Sequence, residues 1–174
     1  MSGWLVAIDL QRIFAEGPWG APDYATAEAG TRALLPAFDA RTVHTRFVAP
    51  AEPVGAWVDY YRDWPFALVP ADDPLYDLTL EAGADPVVTA TSFGKWGPEL
   101  AGLVDGEIVL TGVSTDCCVL STALAAADAG IAVRVVADAC AGASPADHRR
   151  ALDAMALYTP LITITTVAEV LAGA

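Results

Sequence analysis

The chain alternates between short apolar runs and alanine-rich stretches from one end to the other. The apolar runs are rich in Val, Ile and Thr, and several are apolar on both faces, which is typical of strands covered by helices on each side. We therefore predict six strands, at 4–9, 42–48, 86–91, 107–113, 132–138 and 161–166.

The stretches between these strands predict helices. One of them has Thr115 and Asp116 as candidate N-caps and Gly130 as a stop signal. The predicted helices are 22–38, roughly 54–63, 97–104, 116–129, 146–158 and 167–173. Alternating strands and helices imply right-handed crossovers. The sequence thus predicts an α/β fold, a three-layer αβα arrangement around a mainly parallel six-stranded sheet, with residues 1–174 as a single domain.

This fold class indicates where a functional site would lie. In an open parallel sheet, ligands bind beyond the carboxyl ends of the strands. Asp9 ends the first predicted strand, the segment TSFGKWG (91–97) follows the third, and residues 115–118 follow the fourth. We therefore expect these polar and reactive groups to meet at one edge of the sheet.

The composition narrows the classes of partner. The formal net charge is −13, from 22 acidic and 9 basic side chains. Such a chain repels phosphate backbones and anionic lipids, so we expect a small-molecule substrate, no nucleic acid and no membrane. No run of about 18 apolar residues lacks a charge, as a membrane span would require, and the start, MSGWLVAIDL, lacks the basic region of a secretory signal.

The cysteines are few and two of them are adjacent. Cys117 and Cys118 lie in GVSTDCCV, and Cys140 is the third. An odd count without an export signal indicates free thiols in a reducing compartment, so we expect a cytoplasmic protein. The strand-to-helix junction predicts a thiol whose pKa is lowered by the helix N-terminus. Helical neighbours point about 100° apart, so only one of the pair should face a cleft; the alternative is that both are small buried hydrophobes.

A thiol nucleophile needs a base and a group that stabilises charge. His44 is expected to pack in the second strand and His148 to be a solvated surface residue, so a Cys–His pair or a metal site is weakly supported. Asp9 and Lys95, the only lysine of the chain, are better candidates. The alternatives are a carboxylate that caps a nearby loop and an exposed loop lysine.

Two segments carry a resemblance to a known family. VAIDLQRIF resembles an opening Asp-x-Gln-x-x-Phe pattern, with Asp9, Gln11 and Phe14 in place. LTGVSTDCCVLSTALAAADAGIAVRVVADACA resembles a nucleophile segment, Gly-x-x-Thr-Asp-x-Cys-Val followed by a helix and an Asp-Ala strand end. The family is that of the isochorismatase-like cysteine hydrolases, which include nicotinamidases and N-carbamoylsarcosine amidase.

The resemblance implies a catalytic triad of Asp9, Lys95 and Cys118, with Cys117 turned away as a packing residue. It implies a cis peptide bond at Val113–Ser114 and an oxyanion hole made by the backbone amides of Ser114 and Cys118. The implied reaction cleaves a C–N bond of a small amide or carbamoyl-type substrate through a thioester. It requires no metal and no organic cofactor. Nicotinamidases carry an Asp/His metal cluster after the second strand, and TRFVAPAEPVGAW has no histidine there.

The chain departs from the family pattern at the lysine. Aligning on GPEL (97–100) places Thr89 where relatives carry their lysine, six residues before Lys95. Either Lys95 reaches back into the site from the loop, or the triad is incomplete. We expect the first, because Lys95 lies at the correct edge of the sheet.

The substrate pocket is harder to predict. Phe14, Trp57 and Trp96 are candidate substrate contacts, and the aromatic-rich stretch 54–66 suits either a ligand wall or a subunit interface. Arg46 and Arg62 could bind a substrate carboxylate, although surface ion pairs are the simpler interpretation. Relatives are commonly dimers or tetramers, so we expect a homodimer or homotetramer.

Two other functional classes stay open. One is a family member without turnover that binds a small ligand. The other is a thiol redox protein, with Cys140 as the resolving thiol; the absence of a Cys-x-x-Cys spacing makes this the weakest of the three hypotheses.

Overall fold

Six strands form one sheet in the computed structural model, which describes residues 3–173. They are β1 (Trp4–Ile8), β2 (Thr42–Phe47), β3 (Val87–Ala90), β4 (Ile108–Val113), β5 (Val133–Ala141) and β6 (Ile162–Thr165). Their order is β3-β2-β1-β4-β5-β6, and every pairing is parallel. The predicted strands and the predicted parallel sheet are confirmed.

Seven α-helices connect or flank the strands within the described residues. They are α1 (Arg12–Ala15), α2 (Tyr24–Phe38), α3 (Trp57–Asp63), α4 (Pro98–Leu103), α5 (Leu120–Asp128), α6 (Pro145–Ala156) and α7 (Val167–Ala172). Helix α1 was not predicted, because one turn is too short to show a periodic pattern. The helix predicted at 116–129 begins instead with a π-helical turn, Thr115–Val119, which runs directly into α5.

The two faces of the sheet are covered by different helices. On one face, Leu5, Val109 and Val136 pack against α2 and α7. On the other face, Val6 and Leu110 pack against α4, α5 and α6. Alternate residues of a strand point to opposite faces of the sheet, and these strands are apolar throughout. Both faces of the sheet are therefore apolar, and both are buried under helices. The result is the predicted three-layer αβα arrangement. Within residues 3–173, no helix combines the length and the apolar character needed to cross a bilayer.

The strand order creates a crevice at the carboxyl edge of the sheet. From β1 the chain adds β2 and β3 on one side, and it then returns to add β4, β5 and β6 on the other. The connections that leave β1 and β4 therefore diverge, which is the topological switch point where α/β sheets bind ligands. Asp9 follows β1 directly and Ser114 follows β4 directly, so both residues lie beside this crevice.

Gly112 allows β4 to lie against β1 at this edge. Its φ is +106°, and an added Cβ would lie 2.0 Å from the carbonyl oxygen of Ile8. The register between β4 and β5 also shifts between Leu110 and Gly112, after which Gly112 pairs with Cys140. This shift accompanies the continuation of β5 to Ala141, beyond the predicted end at 138.

We expect Gly112→Ala to destabilise the fold by roughly 2–5 kcal/mol, since the alanine adds both a left-handed backbone penalty and an overpacked contact. Gly106→Ala is the matched control, because Gly106 has a φ of +72° and, apart from its own residue and its two chain neighbours, no heavy atom of the described chain lies within 4 Å of its added Cβ. It should lose only about 1–2 kcal/mol. Urea unfolding of both variants measures the difference, and equal losses would contradict the contact with Ile8.

Candidate active site

Asp9 is a fully buried carboxylate at the end of β1. Its backbone has a positive φ of 47°, an unusual conformation for a residue other than glycine. Thr45 on β2 holds it in place: the Thr45 hydroxyl donates to Asp9 Oδ1 at 2.6 Å and accepts from the Asp9 backbone N–H at 3.1 Å. The neighbouring strand thus fixes the direction of the carboxylate.

Lys95 pairs with this carboxylate. Its Nζ lies 2.9 Å from Asp9 Oδ2, and neither side chain has solvent-exposed area. The ammonium also donates to the carbonyl oxygens of Ser92 at 2.6 Å and Phe93 at 3.1 Å, and it lies 5.5 Å from the centroid of the Phe47 ring. Two carbonyl oxygens thus accept hydrogen bonds from the buried ammonium, and the Asp9 carboxylate balances its charge.

The position of Lys95 shows whether this lysine reaches the site from its loop, although Thr89 stands where the family pattern has its lysine. Thr89 lies on edge strand β3, opposite Arg46 in register, and its side chain is exposed. Lys95 lies in the loop after β3 and extends back to Asp9. The geometry therefore places Lys95, and not Thr89, next to the carboxylate.

Cys118 lies in the π-helical turn that follows β4. The turn is closed by a hydrogen bond from the Val119 N–H to the Ser114 carbonyl at 3.1 Å, and the peptide bond between Val113 and Ser114 is cis. Burial raises the pKa of the Cys118 thiol well above its ordinary value, the Asp9 charge raises it further, and Lys95 opposes both effects. The expected lowering of this pKa is therefore wrong: burial and the Asp9 charge outweigh the opposing charge of Lys95, so the resting thiol keeps its proton.

Thr122 on α5 connects the π-helical turn of Cys118, called the nucleophile turn after its family pattern, to the loop that carries Lys95. Its hydroxyl donates to the Cys118 carbonyl at 2.6 Å and accepts from the Lys95 backbone N–H at 2.9 Å. Thr122 is fully buried, so water does not compete for these bonds. The positions of Cys118 and Lys95 are therefore coupled through one side chain.

Cys117 was predicted to turn away from the cleft as a packing residue. It does pack against the core cluster that contains α4 and α5, but the prediction that it faces away from the cleft is wrong. Cys117 and Cys118 both line the same cavity. A π-helical turn closes its hydrogen bonds between residues five apart, so it holds more residues per turn than an α-helix, and neighbouring side chains diverge less. Burial and the adjacent Asp116 carboxylate raise the pKa of Cys117 to about 11.

Gln11 fixes the floor of the site. Its amide donates to the carbonyl oxygens of Phe47 at 2.9 Å and Tyr76 at 2.8 Å, and its oxygen accepts from the Phe47 N–H at 2.7 Å. The fully buried amide thus joins β1, the end of β2 and a short 3-10 helix, Pro74–Tyr76. The position of Gln11 in the Asp-x-Gln-x-x-Phe pattern is explained by these three bonds.

A cavity of about 400 Å³ opens above Cys118. One side is formed by Ser114, Asp116, Cys117, Cys118 and Ala143. The remaining walls are mostly aromatic, formed by Phe14, Trp19, Phe47, Trp57, Tyr60, Trp64 and Phe93. The volume falls within the range of small-molecule pockets, and apolar walls with a few polar groups are their usual composition.

The aromatic stretch 54–66 contributes to this cavity through Trp57, Tyr60 and Trp64, so the structure supports the interpretation as a ligand wall. Trp19 contacts this wall, with ring centroids 6.0 Å from Tyr60 and 5.0 Å from Phe66.

Of the predicted substrate contacts, Phe14 and Trp57 line the cavity and Trp96 does not. The loop directs Lys95 towards Asp9, and Trp96 packs instead against the core cluster that contains α4 and α5. Sequence analysis missed Trp19, Phe47 and Phe93 as cavity walls. Phe47 ends a strand and Phe93 lies in the segment after β3, so the carboxyl-edge rule could have identified both.

His148 was predicted to be a solvated surface residue, and this prediction is also wrong. It is half-buried at the start of α6, and its Nδ1 lies 2.8 Å from the hydroxyl of Thr115. Burial lowers the pKa of His148, while the charge of Asp23 opposes this shift. Helical periodicity gave no sign that the first turn of α6 packs against the nucleophile turn.

The other candidate residues lie outside the cavity lining. His44 is buried in β2, as expected, with its Nε2 3.8 Å from Asp85 Oδ2. Arg46 bonds the carbonyl of Ala71, and Arg62 pairs with Asp59 on the surface. Among residues 3–173, no group of three or more His, Cys, Asp or Glu side chains is arranged to hold a metal ion.

All three cysteines are free thiols. Cys140 is buried on β5, where its Sγ lies 3.9 Å from the Leu110 carbonyl oxygen.

Comparison with known proteins agrees with this architecture. A cysteine hydrolase from Pseudomonas syringae pv. phaseolicola 1448A has a similar structure, with a TM-score of 0.83 and 19% identity over 97% of this chain and 90% of that one. N-carbamoylsarcosine amidase from Thermoplasma acidophilum has a TM-score of 0.74 and 18% identity over 96% of this chain and 97% of that one. At these identities the similarity shows a shared fold.

Sequence comparison identifies the family. Isochorismatase domain-containing protein 2 of Xenopus laevis is 42% identical over 82 residues, which cover 43% of this chain and 40% of that protein. The model of the isochorismatase domain matches residues 3–169. Since this match covers nearly the whole sequence, the chain belongs to the isochorismatase family.

Proposed function

We propose that this protein is a cysteine hydrolase that cleaves a C–N bond of a small amide or carbamoyl-type substrate. The observation that carries the proposal is the buried ion pair of Asp9 and Lys95 next to the Cys118 thiol, which lines a cavity of ligand size. A carboxylate can accept a proton, a thiol beside it is a suitable nucleophile, and the charge of the neighbouring lysine favours the ionised sulfur.

The first half of the proposed reaction forms a thioester. Asp9 takes the proton of Cys118, and the sulfur attacks the carbonyl carbon of the substrate. Lys95 limits the energy of the transient thiolate, since its charge favours the ionised sulfur. The backbone amides of Ser114 and Cys118 stabilise the tetrahedral oxyanion. The proton then passes from Asp9 to the substrate nitrogen, the C–N bond breaks, and the amine leaves.

The second half releases the acid and restores the enzyme. A water molecule gives a proton to Asp9 and attacks the thioester carbonyl. The C–S bond breaks, the proton returns from Asp9 to the Cys118 sulfur, and the carboxylic or carbamic acid leaves. The cycle uses the protein's own groups, so a metal or organic cofactor has no step in it.

Two other functions, ligand binding without turnover and thiol redox chemistry, are alternatives to this proposal. A family member that only binds its ligand would show no turnover with any amide. A redox function would require Cys140 to exchange with Cys118, although Cys140 is buried on β5. A homodimer or homotetramer, and a cytoplasmic location, stay predictions.

Turnover tests the nucleophile directly. In a panel of small primary amides and N-carbamoyl compounds, we expect ammonia release that Cys118→Ala lowers by at least about 10³-fold, as the loss of a covalent nucleophile does. Cys140→Ala is the control thiol variant and should keep its activity. Hydroxylamine trapping should give a hydroxamate with wild type and with Cys140→Ala, and none with Cys118→Ala. Activity that survives Cys118→Ala would refute the thioester route.

Alkylation by iodoacetamide tests the role of Asp9. The measurements use Cys117→Ala as the parent protein, so that Cys118 is the cysteine left on the cavity wall. Because the Cys118 pKa is raised, its alkylation rate should keep rising beyond about pH 8.5, the ordinary thiol pKa. Asp9→Asn removes a charge that raises this pKa, so it should speed alkylation at fixed pH while it abolishes amide hydrolysis. Mass spectrometry locates the alkylated residue. Slower alkylation in Asp9→Asn would contradict the inferred effect of the Asp9 charge on the Cys118 thiol.

Unfolding in urea tests the ion pair. Lys95→Met or Asp9→Asn alone should cost about 3–5 kcal/mol, because each leaves one buried group without its partner. The double variant should cost less than the two single losses together. Arg62→Met and Asp59→Asn break an exposed pair and serve as the control, with an expected loss below about 1 kcal/mol. Additive losses at Asp9 and Lys95 would show that the two groups do not interact.

A further inference from the structure

Asp116 is the one charged side chain among the described residues that line the cavity. It lies two positions before Cys118, in the same π-helical turn. Lys95 does not line the cavity, and its ammonium is already held by Asp9 and two carbonyl oxygens. A substrate seated beside Cys118 is therefore exposed at close range to one negative charge, and no positively charged side chain lines the described cavity.

One carboxylate oxygen of Asp116 has a structural partner and the other has acceptor capacity left. Oδ1 accepts the backbone N–H of Ala143 at 2.9 Å, which ties the nucleophile turn to the loop after β5. Oδ2 lies 3.7 Å from the Cys117 Sγ, the distance of a weak thiol hydrogen bond. Because Asp116 is half-buried, a cation bonded to Oδ2 would be only partly screened by water.

The aromatic walls favour the same kind of ligand. Trp19, Trp57 and Tyr60 each contribute a ring to the cavity. Aromatic faces stack on flat apolar groups and attract cations through their ring quadrupoles. The whole chain, with a formal net charge of −13, also draws cations towards its surface.

We propose that the substrate is an aromatic amide that carries a protonated amine, and that Asp116 is the specificity-determining residue that binds this amine. Amides that carry a carboxylate are disfavoured, because their charge would face the Asp116 charge with only partial screening by water. The proposal rests on the proposed function, since it takes Cys118 as the nucleophile that defines where the amide carbon lies.

Three chloroacetamides test the charge preference in the Cys117→Ala parent. They are N-benzyl, N-[4-(aminomethyl)benzyl] and N-(4-carboxybenzyl) 2-chloroacetamide, which are neutral, cationic and anionic with nearly the same shape. In each reaction the Cys118 sulfur forms a C–S bond, chloride leaves, and the thiol proton passes to the solvent. Intact-mass spectrometry gives the second-order rate of labelling, and peptide mapping confirms the site.

We expect the cationic probe to label Cys118 at least about tenfold faster than the anionic probe, the ratio that one charge-assisted hydrogen bond supplies. Asp116→Asn should bring this ratio close to 1, since asparagine keeps an oxygen for the Ala143 N–H and loses the charge. Asp128→Asn is the matched control. It removes one charge from an exposed residue at the far end of α5, and it should leave the ratio unchanged.

The outcomes separate this proposal from the one on which it rests. Equal rates for the cationic and anionic probes, or a ratio that Asp116→Asn leaves intact, would overturn the role of Asp116 even where Asp9→Asn still speeds alkylation. A ratio that falls equally in Asp128→Asn would assign the preference to the overall charge of the chain and would also overturn it. Failure of the thioester route would appear separately, as amide hydrolysis that survives Cys118→Ala.

Discussion

The buried ion pair of Asp9 and Lys95 is the interaction on which the rest of the site depends. Two charges without solvent contact are costly unless each is fully paired. Here Thr45 donates to one carboxylate oxygen, Lys95 contacts the other, and the carbonyl oxygens of Ser92 and Phe93 take the remaining donors of the ammonium. These partners come from β1, β2 and the loop after β3, so the central strands must be in register before the charges can be accommodated.

The same burial determines the chemistry of the thiol. The low dielectric of the buried site strengthens the attraction between Asp9 and Lys95, but it also disfavours a thiolate at Cys118. The resting site therefore holds one proton on sulfur and one acceptor beside it. In the proposed reaction, proton transfer to Asp9 moves negative charge onto the sulfur as it attacks a carbonyl carbon, and Lys95 stabilises that charge. A protonated resting thiol is also less open to oxidation than a thiolate.

The fold could be predicted from the sequence because both faces of the sheet are buried, which makes the strands continuous apolar runs. Asp9 and Cys118 could be placed because they follow strands whose carboxyl ends share one edge. The orientation of Cys117 could not, since α- and π-helical turns do not differ in composition and only hydrogen-bond geometry separates them. The contact of His148 with Thr115 depends on how α6 docks onto a turn far away in the sequence, which periodicity does not encode.

Lys95 supplies a buried charge to the site from a loop. Relatives are expected to carry the lysine where this chain has Thr89, yet the ammonium reaches Asp9 from a loop residue further along. A lysine side chain is long and flexible, so different backbone positions can deliver its charge to one point. The loop must then be held still, and Thr122 does this by binding the Lys95 backbone N–H while it also holds the Cys118 carbonyl. In this chain the loop after β3 therefore supplies the charge at a fixed location relative to the carboxylate and the nucleophile turn.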